Sequence, residues 1–133
     1  MDARLLAEGR VVVDFDPLPA HDDAISRMAV ERTFTGGLTG KSVGQLLSVG
    51  TSIEGSSAFV ALEVFTGTLG SRAGTFTLQY AGSMRRGFEE RVITVVPDSG
   101  TEELIGLSGV LTVVNHATEH TYTLQYSWRT ADS

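Results

Sequence analysis

Glu63 stands in the middle of an apolar run, Ala58–Thr66, on the same side of an extended chain as Phe59, Ala61 and Phe65. If that side faces a core, the carboxylate loses its hydration and its pKa should rise towards the range of a general acid or base. Two other fates are open to it: pairing across a subunit interface, or a structural hydrogen bond to Gln79 or Gln125. An unpaired buried charge is costly, so it demands one of these reasons. A second candidate is Asp98 in Asp98-Ser99-Gly100-Thr101, which matches the turn of aspartic peptidases. In those enzymes two such aspartates share one proton and activate water. With one copy per chain the chemistry would need a symmetric dimer, and Pro97-Asp98-Ser99-Gly100 is equally an ordinary turn sequence.

Two further motifs lose their chemistry to context. Gly36-Gly37-Leu38-Thr39-Gly40-Lys41-Ser42 is like a phosphate-binding loop, but Thr35 stands where that loop needs its first glycine. A strand pattern also follows where a helix N-terminus should face phosphate, so the segment is expected to be a hairpin turn. His116-Ala117-Thr118-Glu119-His120 has the H-x-x-E-H spacing of a zinc peptidase class, whose ligands converge only on a helix. It lies between two strand patterns and is expected to be the polar tip of a hairpin, with no metal. His21, Asp22 and Asp23 read as a solvated loop, and Arg85, Arg86, Glu89, Glu90 and Arg91 as a mixed-charge surface hairpin.

The elements that must position these residues are strands. Fifteen glycines and three prolines punctuate runs rich in Val, Thr, Phe and Tyr. Strands are expected near Arg10–Phe15, Ala24–Phe34, Ser42–Val49, Ala58–Thr66, Thr75–Ala81, Glu90–Val96, Val110–Asn115 and Thr121–Trp128. One short helical turn falls within Ser99–Leu107, and no window sustains a 3.6-residue apolar period. About eight antiparallel strands make a sandwich or a closed barrel, and the alternation of the later strands favours the barrel. Phe76, Leu78 and Tyr80 oppose Thr75, Thr77 and Gln79, and Tyr122, Leu124, Tyr126 and Trp128 oppose Thr121, Thr123, Gln125 and Ser127. Ala58–Thr66 is apolar on both sides, with Val60, Leu62 and Val64 opposite the Glu63 side. A strand of this kind in a single-layer barrel needs an outer cover, which predicts a homo-oligomer, a dimer or trimer. Short echoes at offsets of 31 and 46 residues disagree and exclude a regular repeat.

Composition sets the outer limits. The 133 residues suit one domain, spanning 1–133 with its core over about 8–128, and can bury a core without staples. The absence of cysteine excludes disulfides, a thiolate nucleophile and a sulfur-based zinc site. A net charge of −6 argues against nucleic acid, which demands a basic stripe. No apolar run is long enough to span a membrane as a helix, and the N-terminus lacks the pattern of a secretory signal, so a cytoplasmic location is expected.

Three ordered blocks resemble a known family. They are Phe34–Ser42, then Ala58–Glu63 with Gly67–Gly82, then Val95–Gly109. Together they resemble a bacterial domain-of-unknown-function family of small barrels related in fold to allene oxide cyclase, over about residues 8–128. The resemblance implies an antiparallel barrel with an interior cavity, usually oligomeric. For activity it implies the cofactor-free cyclases of the wider group or, within the narrower family, an aspartic-type peptidase. This chain departs from the family pattern at Tyr80, where His is frequent, and at Asp98, where Gly is frequent. The first change removes a candidate proton shuttle, and fold analogy alone carries little functional weight.

The resulting expectation is a cofactor-free barrel that encloses an apolar small molecule and isomerises or cyclises it. Glu63 would be the acid or base. Phe59, Phe65, Tyr80, Tyr126 and Trp128 would shape the pocket, and Gln79 or Gln125 would orient a polar group. Competing expectations are a dimeric acid peptidase using Asp98 and a barrel that binds a ligand without turning it over.

Overall fold

Alternation of apolar and polar side chains along eight segments produces eight strands, and their pairing is sequential. In the computed structural model, which describes residues 4–20, 23–116 and 119–129, they are β1 (Leu5–Leu18), β2 (Ile25–Gly36), β3 (Leu38–Gly50), β4 (Ser57–Leu69), β5 (Arg72–Arg85), β6 (Phe88–Val95), β7 (Leu107–Asn115) and β8 (His120–Trp128). Each pairs antiparallel with the next, and β1 pairs with β8, closing the barrel. Closure gives every strand two neighbours. The expected helical turn is a single 3-10 turn at Glu102–Leu104. No described helix is long and apolar enough to cross a membrane. His21, Asp22, Ala117 and Thr118 lie outside the described residues.

Tight turns set the registers. Arg86 and Gly87, both at positive φ, form the two-residue β5–β6 turn, the type whose twist matches that of the strands it joins. The phosphate-loop look-alike is a β2–β3 turn at Gly36-Gly37, followed directly by strand. Gly44 lies opposite Glu63 in the β3–β4 ladder, and a Cβ there would collide with the backbone carbonyl of Leu62. Glycine thus permits the close approach of the two strands that carry the site.

Inward side chains fill one end of the barrel. Phe34, Leu38, Phe65, Leu69, Phe76 and the 3-10 turn's Leu104 are buried there. Phe34 meets Phe65 and Tyr122 edge to face, with ring centroids 5.7 and 5.3 Å apart. Such geometry aligns the positive ring edge with the negative face and adds to plain burial. The Tyr122 hydroxyl accepts from the Leu38 amide at 2.8 Å and lies 2.9 Å from the Thr35 carbonyl, tying β8 to the β2–β3 turn.

One seam differs from the rest. β6 and β7 share a single residue pair, Thr94 with Val110, whereas β3 and β4 pair from Leu38–Leu69 to Gly50–Ser57. Beyond Val95 the chain continues along β5 instead, with the Thr101 amide donating to the Thr75 carbonyl and the Thr77 amide to Ser99 Oγ. On the outside, β3 and β4 present Val43, Leu47, Val60, Leu62 and Val64 to solvent.

Candidate functional site

The face of β4 that carries Glu63 points inward. Ala61, Glu63 and Phe65 are buried while Val60, Leu62 and Val64 are exposed, which settles the register that two apolar faces had left open. Glu63 has no solvent exposure, and its partner comes from the same chain. Arg32 Nε lies 3.0 Å from both carboxylate oxygens, and Ser42 Oγ donates to Oε1 at 2.7 Å. Arg32 and Ser42 face each other across the β2–β3 ladder. Three strands therefore build an internal ion pair with its remaining acceptor capacity partly satisfied, the condition under which buried charge is tolerated.

The Arg32 guanidinium lies over the Tyr80 ring, 4.5 Å from its centroid, and 6.0 Å from that of Phe15. Aromatic faces carry negative potential and attract such a cation. The Tyr80 hydroxyl is buried with no hydrogen-bond partner among the described residues. Burial pushes this phenol's pKa well above its ordinary value. The nearby Arg32 pulls the other way.

Above the ion pair the barrel is open. A cavity of about 540 Å³ occupies this end, within the size range of small-molecule sites. Its walls include Val11, Val13 and Phe15 from β1, Met28 from β2, Leu46 from β3 and Phe59 from β4. Its polar groups include Arg32, Ser48, Arg91, Asn115 and His120. His120 Nδ1 and Asn115 Oδ1 are 2.6 Å apart, and Arg91 Nη2 donates to the Val113 carbonyl at 2.9 Å. Extending the β6–β7 register from Thr94–Val110 places Arg91 opposite Val113, so a side chain bridges the seam where the backbone ladder has ended.

Several sequence expectations meet this geometry differently. Phe59 lines the cavity, and Tyr80 lies inside the barrel beside Arg32. Glu63 is not on the cavity wall, where Arg32 stands instead. Phe65 belongs to the packed end, where it stacks 4.9 Å from Phe76. Gln79 is exposed on the outer face, because it alternates with the inward Leu78 and Tyr80. Gln125 is likewise exposed and accepts from Arg4 at 3.4 Å, so neither glutamine reaches Glu63. Tyr126 and Trp128 contact each other edge to face near the β1 and β7 ends that oppose the cavity, with Arg72 over the indole. Asp98 sits in an exposed turn at φ 62°. That left-handed conformation suits glycine and is tolerated by aspartate, giving the residue a turn-forming reason to be there.

Arg32, Ser42, Arg91 and His120 are the residues sequence reasoning missed as site members. Arg32 had a readable signal: it shares the inward parity of Val30 and Phe34 on β2. Arg91 belongs to a mixed-charge hairpin that suggests surface, but its side chain is only 26% exposed and lines the cavity. Among the described residues no group of three His, Asp or Glu side chains is placed to hold a metal. His116 and Glu119 take other partners, Thr121 and Arg10.

Comparison with known proteins gives a consistent but functionally silent answer. The model of a family described as "Protein of unknown function (DUF3224)" matches residues 13–126. A crystal structure of a DUF3224 protein of unknown function from Shewanella oneidensis MR-1 is 33% identical, covers 97% of this chain and 100% of its own, and superposes with a TM-score of 0.93. No curated protein matches the chain.

Proposed function

Because the chain belongs to the DUF3224 family, whose description names no activity, we propose a function from the site itself: the barrel binds a small apolar molecule in its open end. The observation that carries this reading is the 540 Å³ cavity, walled by aliphatic and aromatic side chains and floored by a fixed polar group. An apolar guest gains by leaving water, while a few placed polar groups set its orientation.

The chemistry suited to such a site needs no cofactor. Isomerisation or cyclisation proceeds faster when the walls hold the reactive conformer, which removes entropy from the barrier. The resemblance of the sequence blocks to allene oxide cyclase-like barrels supports this branch. In it Arg32 would polarise a carbonyl of the substrate, and Glu63 would act as a positioning residue that fixes the guanidinium. Phe59 supplies apolar wall, and Tyr80 backs the guanidinium. We place the protein in the cytoplasm, in keeping with its acidic, cysteine-free composition.

Titration calorimetry with 1-octanol tests the binding reading. The wild type should release heat with one site per chain, and Met28→Trp, which points inward with Val30 and Arg32 and lines the cavity, should abolish it while the circular dichroism spectrum stays unchanged. Absence of binding to the wild type, or equal binding by the variant, overturns the proposal.

A further inference from the structure

The arginine at the cavity floor is only partly used. Arg32 Nε serves Glu63, but the two terminal nitrogens, with four N–H donors, have no hydrogen-bond partner among the described residues. Its side chain is 13% exposed and lines the cavity, so these donors border the space a guest would fill. A guanidinium presents paired donors whose geometry matches the two oxygens of a carboxylate. The surroundings agree in charge. The chain is net −6, yet the cavity wall carries Arg32 and Arg91 and no aspartate or glutamate among the described residues; their counter-ions, Glu63 and Glu89, pair with each Nε from off the wall. A second arginine and His120 extend the donor surface along one side, while Val13, Met28 and Phe59 keep the rest apolar.

We infer that the guest is an apolar carboxylic acid, bound as its anion with the carboxylate on the terminal nitrogens of Arg32 and the hydrocarbon body against the apolar wall. This rests on the cavity being the binding site. Glu63 and Ser42 then hold the fork from behind, so that binding need not immobilise a free arginine. Arg91 steers the anion inward over the seam it bridges.

Octanoate and 1-octanol at neutral pH separate the two ideas, since they differ in the head group. The wild type should bind octanoate at least tenfold more tightly than octanol. The double variant Arg32→Met/Glu63→Gln removes both charges together, so no lone buried ion remains, and should bind the two equally. If it fails to fold, Ser48→Asp, which adds a negative charge to the wall, should weaken octanoate at least tenfold and leave octanol unchanged. Equal affinities in the wild type overturn the carboxylate inference while leaving the cavity reading intact. Binding of neither probe overturns both. A preference that survives in a folded double variant overturns Arg32 as the reader.

The outer face carries a second inference on separate grounds. Val43, Leu47, Val60, Leu62 and Val64 are between 41 and 58% exposed and adjoin across the β3–β4 ladder. Outward positions 60, 62, 64, 77, 79 and 81 carry no charge, and Arg27 at the rim is occupied by Gln45 and the Pro19 carbonyl. Five contiguous aliphatic side chains on two long paired strands form the apolar centre that a standard interface of roughly 800 Å² per partner needs. We propose that a second copy of this chain docks here. A two-fold axis at Leu62 sets Val60 of one copy against Val64 of the other, which makes the strand complementary to itself. An uncharged patch is also where two acidic molecules can meet without repulsion.

Sedimentation velocity should show a dimer for the wild type and a monomer for Leu62→Glu with an unchanged circular dichroism spectrum. A monomeric wild type at all concentrations, a larger assembly, or a variant that remains dimeric overturns the proposal.

Discussion

The two ends of this barrel are made from the same strands and behave as different materials. At one end Phe34, Phe65, Phe76 and Tyr122 interlock with Leu38, Leu69 and Leu104. At the other, the same β1 to β4 stay paired and line an open cavity whose floor is an ion pair. The closed end draws its stability from hydrophobic burial, which is non-directional and tolerates nearly any well-shaped side chain. The open end depends on directional bonds among Arg32, Ser42 and Glu63, which fix a single arrangement at little net gain in stability. One end keeps the protein folded, and the other keeps a buried guanidinium still.

The difference can be broken at its strongest point first. Phe65→Ala opens a void in the packed end and should cost about 4 kcal/mol in a denaturant titration, as buried aromatic truncations do. Octanol binding at the opposite end should persist under conditions where the variant is folded. Glu63→Leu leaves Arg32 buried without its counter-ion and should cost about 3 kcal/mol, while Arg32→Met/Glu63→Leu should recover most of that loss. If the double variant is no more stable than the single one, the pair is not the isolated unit that its geometry indicates.

The smallest effect concerns Tyr80, between the two ends. Its hydroxyl is buried without a partner, so Tyr80→Phe should stabilise the protein by about 1 kcal/mol in thermal unfolding. The sign of its pH dependence follows from burial holding the phenol's pKa above the unfolded value of 10.0. The folded state keeps that proton where the unfolded chain loses it, so the contribution is whole below pH 10 and is lost as pH rises further. The wild type should therefore lose stability more steeply than the Phe variant above pH 10. Parallel alkaline curves would show that Tyr80 titrates as freely when folded as when unfolded.

Much of the architecture was legible because burial in a barrel writes a period of two along each strand. All eight strands and the one helical turn fell where alternation and glycine put them, though several run longer than expected. β1 begins at Leu5 rather than near Arg10 because Gly9, which would signal a break, is instead the place where Thr35 and the Tyr122 hydroxyl approach the backbone. The site was less legible. Glu63 stood out as a lone charge among apolar neighbours, but its partner is 31 residues away on a strand whose polar residues looked ordinary. Gln79 shows the opposite error, since the alternation that turned Tyr80 inward already turned Gln79 outward. Ser42 was hidden by its place in a turn motif. What joins these residues is register between strands, which no single strand encodes.

The seam between β6 and β7 gives the barrel a property of a hoop with one weak joint. Seven junctions are laced by longer ladders, and the eighth by Thr94–Val110 and the Arg91 clasp. A hoop under outward load yields at its joint, so a guest too large for the cavity would widen the ring there and leave the packed end undisturbed. The seam is thus where the girth of the open end would change, and the clasp across it is also one of the two arginines on the cavity wall.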